Sequence, residues 1–154
     1  MLKEIKAFAH PLILLDASIS YADSIFVSKG TRTLYLVNNS IAFRSYSIEL
    51  GQNPVGAKLR EGDRRTPEGQ YIIDWRNPKS KFFLSLHINY PNRDDISRAE
   101  NFGYHPGFDI MIHGTNSDQL GQKDWTHGCI AVDNKSMQEI YNLVADGTPI
   151  WIQP

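Results

Sequence analysis

The only cysteine of this 154-residue chain stands in Thr126-His127-Gly128-Cys129-Ile130, directly after a His-Gly pair. Fourteen residues before His127, a second histidine, His113, closes the apolar run Ile110-Met111-Ile112 and opens Gly114-Thr115. A free thiol with a pKa near about 8.5 is only a few per cent ionised at neutral pH, so a nucleophilic cysteine needs a neighbour that favours the thiolate. Either histidine can serve: an imidazolium beside the sulfur lowers its pKa, and the same ring can return a proton to a leaving amine. If such an ion pair forms, alkylation of Cys129 should persist well below the ordinary thiol range. Gly128 leaves the approach to the sulfur open, and the backbone N–H groups of Gly128 and Cys129 are candidates for an oxyanion site, where each well-placed donor is worth roughly 3 kcal/mol. Taken singly, these residues have plainer roles. A lone cysteine is usually a small core hydrophobe, and a lone histidine a hydrogen-bonded structural group. Their joint placement is what signals chemistry.

His105, Asp109, His113, His127 and Cys129 are also potential zinc ligands, but the chain has neither Cys-x-x-Cys nor His-Glu-x-x-His spacing. No metal or other cofactor is expected. Sixteen Lys+Arg nearly balance seventeen Asp+Glu, which gives no broad attraction to nucleic acid or an anionic membrane and points to a small or locally recognised partner. The length fits one domain over residues 1–154, expected to be a monomer, and one cysteine allows no internal disulfide. The apolar run at residues 12–15 is too short to span a membrane. A basic start, Lys3 and Lys6, is followed by His10, Pro11 and Asp16, a poor secretory core, so residues 1–23 are left undefined and the export route open.

Around the thiol, period-two alternation and turn residues predict a mainly β domain. Thr31 to Val37 and Ile41 to Leu50 form a hairpin across Asn38-Asn39-Ser40, and Gly51 to Gly69 is a long loop. Tyr71 to Trp75 and Phe82 to Tyr90 are strands, the second with His87 and Asn89 on its polar face. A loop from Pro91 to Gly107 carries a helical turn near 96–101. Asp109 to His113 and Cys129 to Val132 are further strands, with His113 turned from the Ile110 and Ile112 face. Met137, Ile140, Tyr141 and Val144 mark a helix opened by a Ser136/Glu139 capping box and ended by Gly147 and Pro149, before a last strand, Ile150 to Ile152.

The chain resembles the L,D-transpeptidase catalytic domain, or YkuD-like, family, on His113-Gly114-Thr115 and Thr126-His127-Gly128-Cys129-Ile130. The likeness to its murein-transpeptidase branch extends to the runs Arg60–Tyr71, Leu84–Asn92 and Asp124-Trp125-Thr126, within residues 30–153. The resemblance implies a β-sandwich-like fold with minor α structure and thiol acyl transfer on peptidoglycan stem peptides in the cell envelope or periplasm. It implies Cys129 as nucleophile, His113 as base, the Gly114 carbonyl as orienter of the imidazole, and His127, Gly128 and Cys129 as backbone donors to the oxyanion. For substrate it suggests Thr126, Trp125, Arg64, Arg65, His87 and Tyr90. Hydrolysis on the same fold, or a non-catalytic peptidoglycan-binding module, are the competing expectations. The family often carries Arg two positions after the cysteine, where this chain has Ala131, and the segment between the motif halves, Gly114 to Trp125, is short. Arg64, Arg65 or Lys58 are candidates to replace that cation.

Overall fold

The structure, a computed structural model, describes residues 20–154. Both the apolar run at 12–15 and the leader reading of the first residues lie outside them. Eight strands form one strongly curved sheet: β1 (Ser24–Ser28), β2 (Thr33–Asn38), β3 (Ile41–Ser47), β4 (Gly69–Ser80), β5 (Phe83–Ile88), β6 (Met111–His113), β7 (Ile130–Ala131) and β8 (Pro149–Gln153). Their order is β3-β2-β1-β8-β4-β5-β6-β7. Two helices, α1 (Arg93–Asn101) and α2 (Asn134–Leu143), complete a mostly β architecture, as expected.

The curvature has a local cause in β4. Its first residues, Gly69 to Ile72, pair with β8, and the remainder, from Ile73 to Ser80, pairs with β5 through two register shifts. Each shift adds twist and bends the strand, and the second accommodates Pro78, which has no N–H to give a regular ladder. The sheet curls until its ends meet: Glu49 and Ala131 exchange N–H···O bonds of 2.9 Å in both directions, joining the segment after β3 to β7. Inside lie alternate residues from every layer: Ile25, Leu34 and Leu36, Ile73, Leu86 and Ile88, Ile112, Ile130 and Ile150, all at most 1% exposed. Each such side chain contributes about 1.5–3 kcal/mol on burial. α2 packs on β5 and adds Met137 and Ile140 to this core.

Three local expectations need correction. α2 begins at Asn134, capped by the Asp133 carboxylate, which accepts from Ser136 N at 2.7 Å. Glu139 accepts from Tyr46 Oη at 3.0 Å instead of closing a capping box. α1 is a full helix where a single turn was expected, held by a reciprocal box in which Asn92 caps Asp95 N and Asp95 accepts from Asn92 N. β1 was not anticipated as a strand, and it pairs in parallel with β8 from the other end of the chain.

The long loop between β3 and β4 is ordered by charges taken out of water. Lys29 Nζ, on a residue 2% exposed, donates to Gly56 O at 2.9 Å, Thr66 O at 2.8 Å and Glu68 Oε2 at 3.0 Å. Asp63 is a second hub, accepting from the N–H groups of Leu59, Arg60 and Arg65 and from Lys58 Nζ at 2.9 Å. Burial works to raise the Asp63 pKa, but these four donors outweigh it and hold the carboxyl below its usual range. The Lys58 and Asp63 side chains are 4% and 8% exposed, so Asp63→Ala leaves an ammonium buried without its counter-charge. Urea denaturation of that variant is expected to show a loss of about 3 kcal/mol; a loss below about 1 kcal/mol would mean the pair does not organise the loop.

Candidate active site

Cys129 sits one residue before β7, and His113 is the last residue of β6, so the parallel β6–β7 pairing sets both on adjacent strands. They line one cleft of about 610 Å³, together with Lys81, Phe82, Ser85, Trp125, Thr126 and His127. A second cleft of about 390 Å³ reaches Cys129 past Lys58, Arg64, Phe108 and His127. The thiol is thus open from two sides, with Asp109, His127 and Cys129 on both walls.

The His113 ring is fixed from three directions. Its Nδ1 lies 2.7 Å from the Gly114 carbonyl oxygen, which makes Nδ1 the protonated nitrogen and leaves Nε2 as the proton acceptor. The Phe82 ring stacks on it at 4.3 Å and 16°, and Trp125 leans against it at 5.6 Å. Burial in this aromatic cage pushes the imidazole pKa down to about 4, against which the Gly114 hydrogen bond works only partly. The Cys129 thiol donates to Asp109 O at 3.5 Å. Crowding by protein atoms pushes its pKa up, although the Met111 N–H and the charges of Lys58 and Lys81 pull the other way. Desolvation thus works against both charges of the thiolate–imidazolium pair that the sequence suggests.

Gly128 needs no side chain for a reason the sequence did not give. Its φ is +137°, and an added Cβ would lie 2.8 Å from Arg65 O and 3.2 Å from Ile110 Cδ1. Close packing against the β3–β4 loop, more than access to the sulfur, demands glycine here. The Gly128 N–H is already spent, donating to Thr126 Oγ1 at 3.1 Å, while that hydroxyl donates to Cys129 O at 2.7 Å. Thr126 thus ties the turn together. The oxyanion role expected of Gly128 is corrected accordingly: its donor is engaged, and no backbone acceptor among the described residues takes the Cys129 or His127 N–H.

The remaining sequence candidates divide. Trp125, Thr126 and Arg64 line the clefts, with Arg64 donating to Gln52 Oε1. Arg65 does not reach them: its guanidinium turns to the Val55 carbonyl beneath Gly56. Tyr90 is 2% exposed and donates to Pro106 O at 2.6 Å, so it is a core residue and not a cleft wall. His87 holds Asp74 at 2.7 Å through Nδ1 and stacks on Trp75 at 4.6 Å, while its Nε2 lies 3.9 Å from Asp109 on the cleft wall, so it stands behind the lining and does not itself form it. Among the described residues, no three His, Cys, Asp or Glu side chains are grouped to hold a metal, and no helix is long and apolar enough to cross a membrane. Lys81, Phe82, Ser85 and Gln119 were not expected in the site. Phe82 and Lys81 form the tip between β4 and β5, and nothing local in the sequence shows that this tip folds over His113.

The model of the YkuD L,D-transpeptidase catalytic domain matches residues 22–152. The Escherichia coli (strain K12) protein named "Putative L,D-transpeptidase YafK" is 34% identical over 113 residues, covering 71% of this chain and 40% of that protein. Among solved structures, the helical cell shape determining protein Pgp2 from Campylobacter jejuni superimposes with a TM-score of 0.66 at 22% identity, covering 91% of this chain and 52% of that one. An L,D-transpeptidase from Mycobacterium tuberculosis H37Rv gives 0.56 at 15% identity, covering 85% and 57%. These two likenesses concern the fold, and the chain spans roughly two-fifths to three-fifths of the proteins it matches. A family match over nearly all the described residues, on a fold shared with solved L,D-transpeptidases, places the chain in the L,D-transpeptidase catalytic domain family.

Proposed function

We propose that this domain carries out cysteine-dependent acyl transfer on peptidoglycan stem peptides. The family supports an enzyme acting on peptidoglycan; the nucleophile and the direction of transfer are inferred from the site. The observation that carries the inference is the His113 tautomer. With Nδ1–H donating to Gly114 O, Nε2 is left as the proton acceptor of a ring that lines the same cleft as Cys129. In the first step Cys129 Sγ attacks a peptide carbonyl while its proton passes to His113 Nε2, so the pair becomes charged only as the C–S bond forms. That order suits two groups whose charges desolvation disfavours. The developing oxyanion takes the Cys129 N–H, which no backbone acceptor among the described residues engages. His113 then protonates the leaving amine, the C–N bond breaks, and a thioester remains on Cys129.

The second half depends on who enters. An amine acceptor gives a new amide, and water gives a carboxylate. Access to the sulfur from two clefts supports transfer, because an acceptor can approach along one while the acyl chain occupies the other. Incubation with a purified disaccharide tetrapeptide, with and without an amine acceptor, is expected to release D-alanine and yield the amide product when the amine is present. Only the free tripeptide acid in both reactions would make the domain a hydrolase. Binding to murein without any product would make it a non-catalytic module.

A further inference from the structure

No cation stands two residues after the cysteine: Ala131 is fully buried and bonded to Glu49 on the closing edge of the sheet. The basic residues suggested by sequence do not supply one on the His113 side. Arg65 is turned to Val55 O, and Arg64 and Lys58 stand on the other cleft, where Lys58 is neutralised by Asp63. Among the described residues lining the 610 Å³ cleft, Lys81 is the one Lys or Arg. It is exposed at the β4–β5 tip, with Nζ 5.1 Å from the Phe82 ring centre, and it has no acidic partner within ion-pair distance among the described residues. Its charge is felt at both His113 and Cys129.

A second observation points to a ligand in the same place. Ser85 is 1% exposed, lies opposite His113 in the β5–β6 register and lines this cleft, yet its Oγ has no hydrogen-bond partner. Gln119 Oε1, also on this cleft, is likewise unpartnered. Buried polar atoms are nearly always satisfied, so two orphans in the cleft that also holds a cation without an acidic partner among the described residues mark a surface completed by something else. A peptide supplies what is missing: N–H groups for the two oxygens and a carboxylate for the ammonium.

Building on the acyl-transfer reading, we propose that Lys81 is the specificity-determining cation of this site, pairing with a free carboxylate of the stem peptide in the His113-side cleft, where Ser85 and Gln119 accept the peptide's N–H groups. The aromatic tip that cages the base thus also selects the substrate. Amidation of the paired carboxylate removes the charge that Lys81 recognises, so the domain discriminates between stem peptides with free and amidated acids.

The test is equilibrium binding to the Cys129→Ala protein, which needs no turnover. Its ligands are a synthetic tetrapeptide stem with every carboxylate free and a set amidated at one carboxylate each. Amidation at one position should weaken binding about 10-fold, as should Lys81→Gln, with no further loss when the two are combined and with recovery in Lys81→Arg. The difference should shrink as salt is raised. Ser85→Ala should bind all the peptides about 3- to 10-fold more weakly with an unchanged melting temperature, since its hydroxyl has no internal bond to lose. Equal affinity of Lys81→Gln and its parent for the free acid, or equal losses for every peptide, would overturn the role of Lys81. Unaltered binding by Ser85→Ala would overturn the hydrogen-bonding half. Intact charge discrimination with no D-alanine release by the unmodified domain would sink the catalytic reading alone.

Discussion

Cys129→Ala is expected to lower D-alanine release by at least roughly 10⁴-fold while leaving the fold and stem-peptide binding in place. The size follows from the chemistry: without sulfur no thioester can form, and what remains is whatever rate the cleft gives to direct attack by water. The substitution is mild structurally. Cys129 Sγ has only weak polar contacts, with Asp109 O at 3.5 Å and the Met111 N–H, and its residue lines a cleft, so its loss opens no sealed cavity. Steady-state assays with the tetrapeptide, beside a denaturation curve, separate the two effects. A folded Cys129→Ala protein that retains more than about a tenth of the activity would exclude covalent catalysis at this residue.

The second large effect concerns His113 and has two readouts. Replacement by Asn or Ala should cut turnover by about 10²- to 10⁴-fold, the usual range for a positioned base. The pH dependence carries more information. With the imidazole pKa lowered to about 4 by burial, the acid limb of kcat/KM should fall near pH 4 and not near the ordinary histidine value, because Nε2 remains able to accept a proton down to that point. Stability follows with the same sign. The unfolded chain takes up the histidine proton near pH 6.5 and the folded one only near 4, so the stabilisation is complete above pH 6.5 and is lost as pH falls toward 4. That loss is roughly 3 kcal/mol. The His113→Asn protein should show a flatter stability profile across this window. Labelling of Cys129 by iodoacetamide, in turn, should rise only at alkaline pH, since burial lifts the thiol above its usual range. Rapid alkylation at pH 6 would instead mark a thiolate–imidazolium pair.

The thiol and the histidines near it were legible as candidates because they are local, motif residues at or beside two short apolar runs, whereas the Gly114 carbonyl entered only through the family resemblance. The β-rich class was legible for the same reason, from alternation in Thr33–Asn38 and Phe83–Ile88. What was hidden depends on partners distant in sequence. β1 is five residues long and lies between β2, with which it forms an antiparallel pair, and β8 from the far end of the chain, whose parallel pairing no local signal announces. α1 is polar along its length, so hydropathy misses it, although Asn92 and Asp95 spell its cap. The direction of the His113 pKa shift follows from burial, with Phe82 and Trp125 against the ring, and the sequence places neither of them there. Tyr90 shows the converse failure: it follows the polar face of its strand in sequence, but it is buried and bonded to Pro106 O. A lysine at a hairpin tip is most often solvated, and nothing local in the sequence sets Lys81 apart.

Intact-protein mass spectrometry during turnover of a disaccharide tetrapeptide gives the most direct measurement. A covalent adduct equal to the substrate less D-alanine, mapped by peptide sequencing to Cys129 and absent from Cys129→Ala, is the predicted result. D-alanine release at full rate with no adduct on Cys129, even under rapid acid quench, would show that the bond is broken by another route.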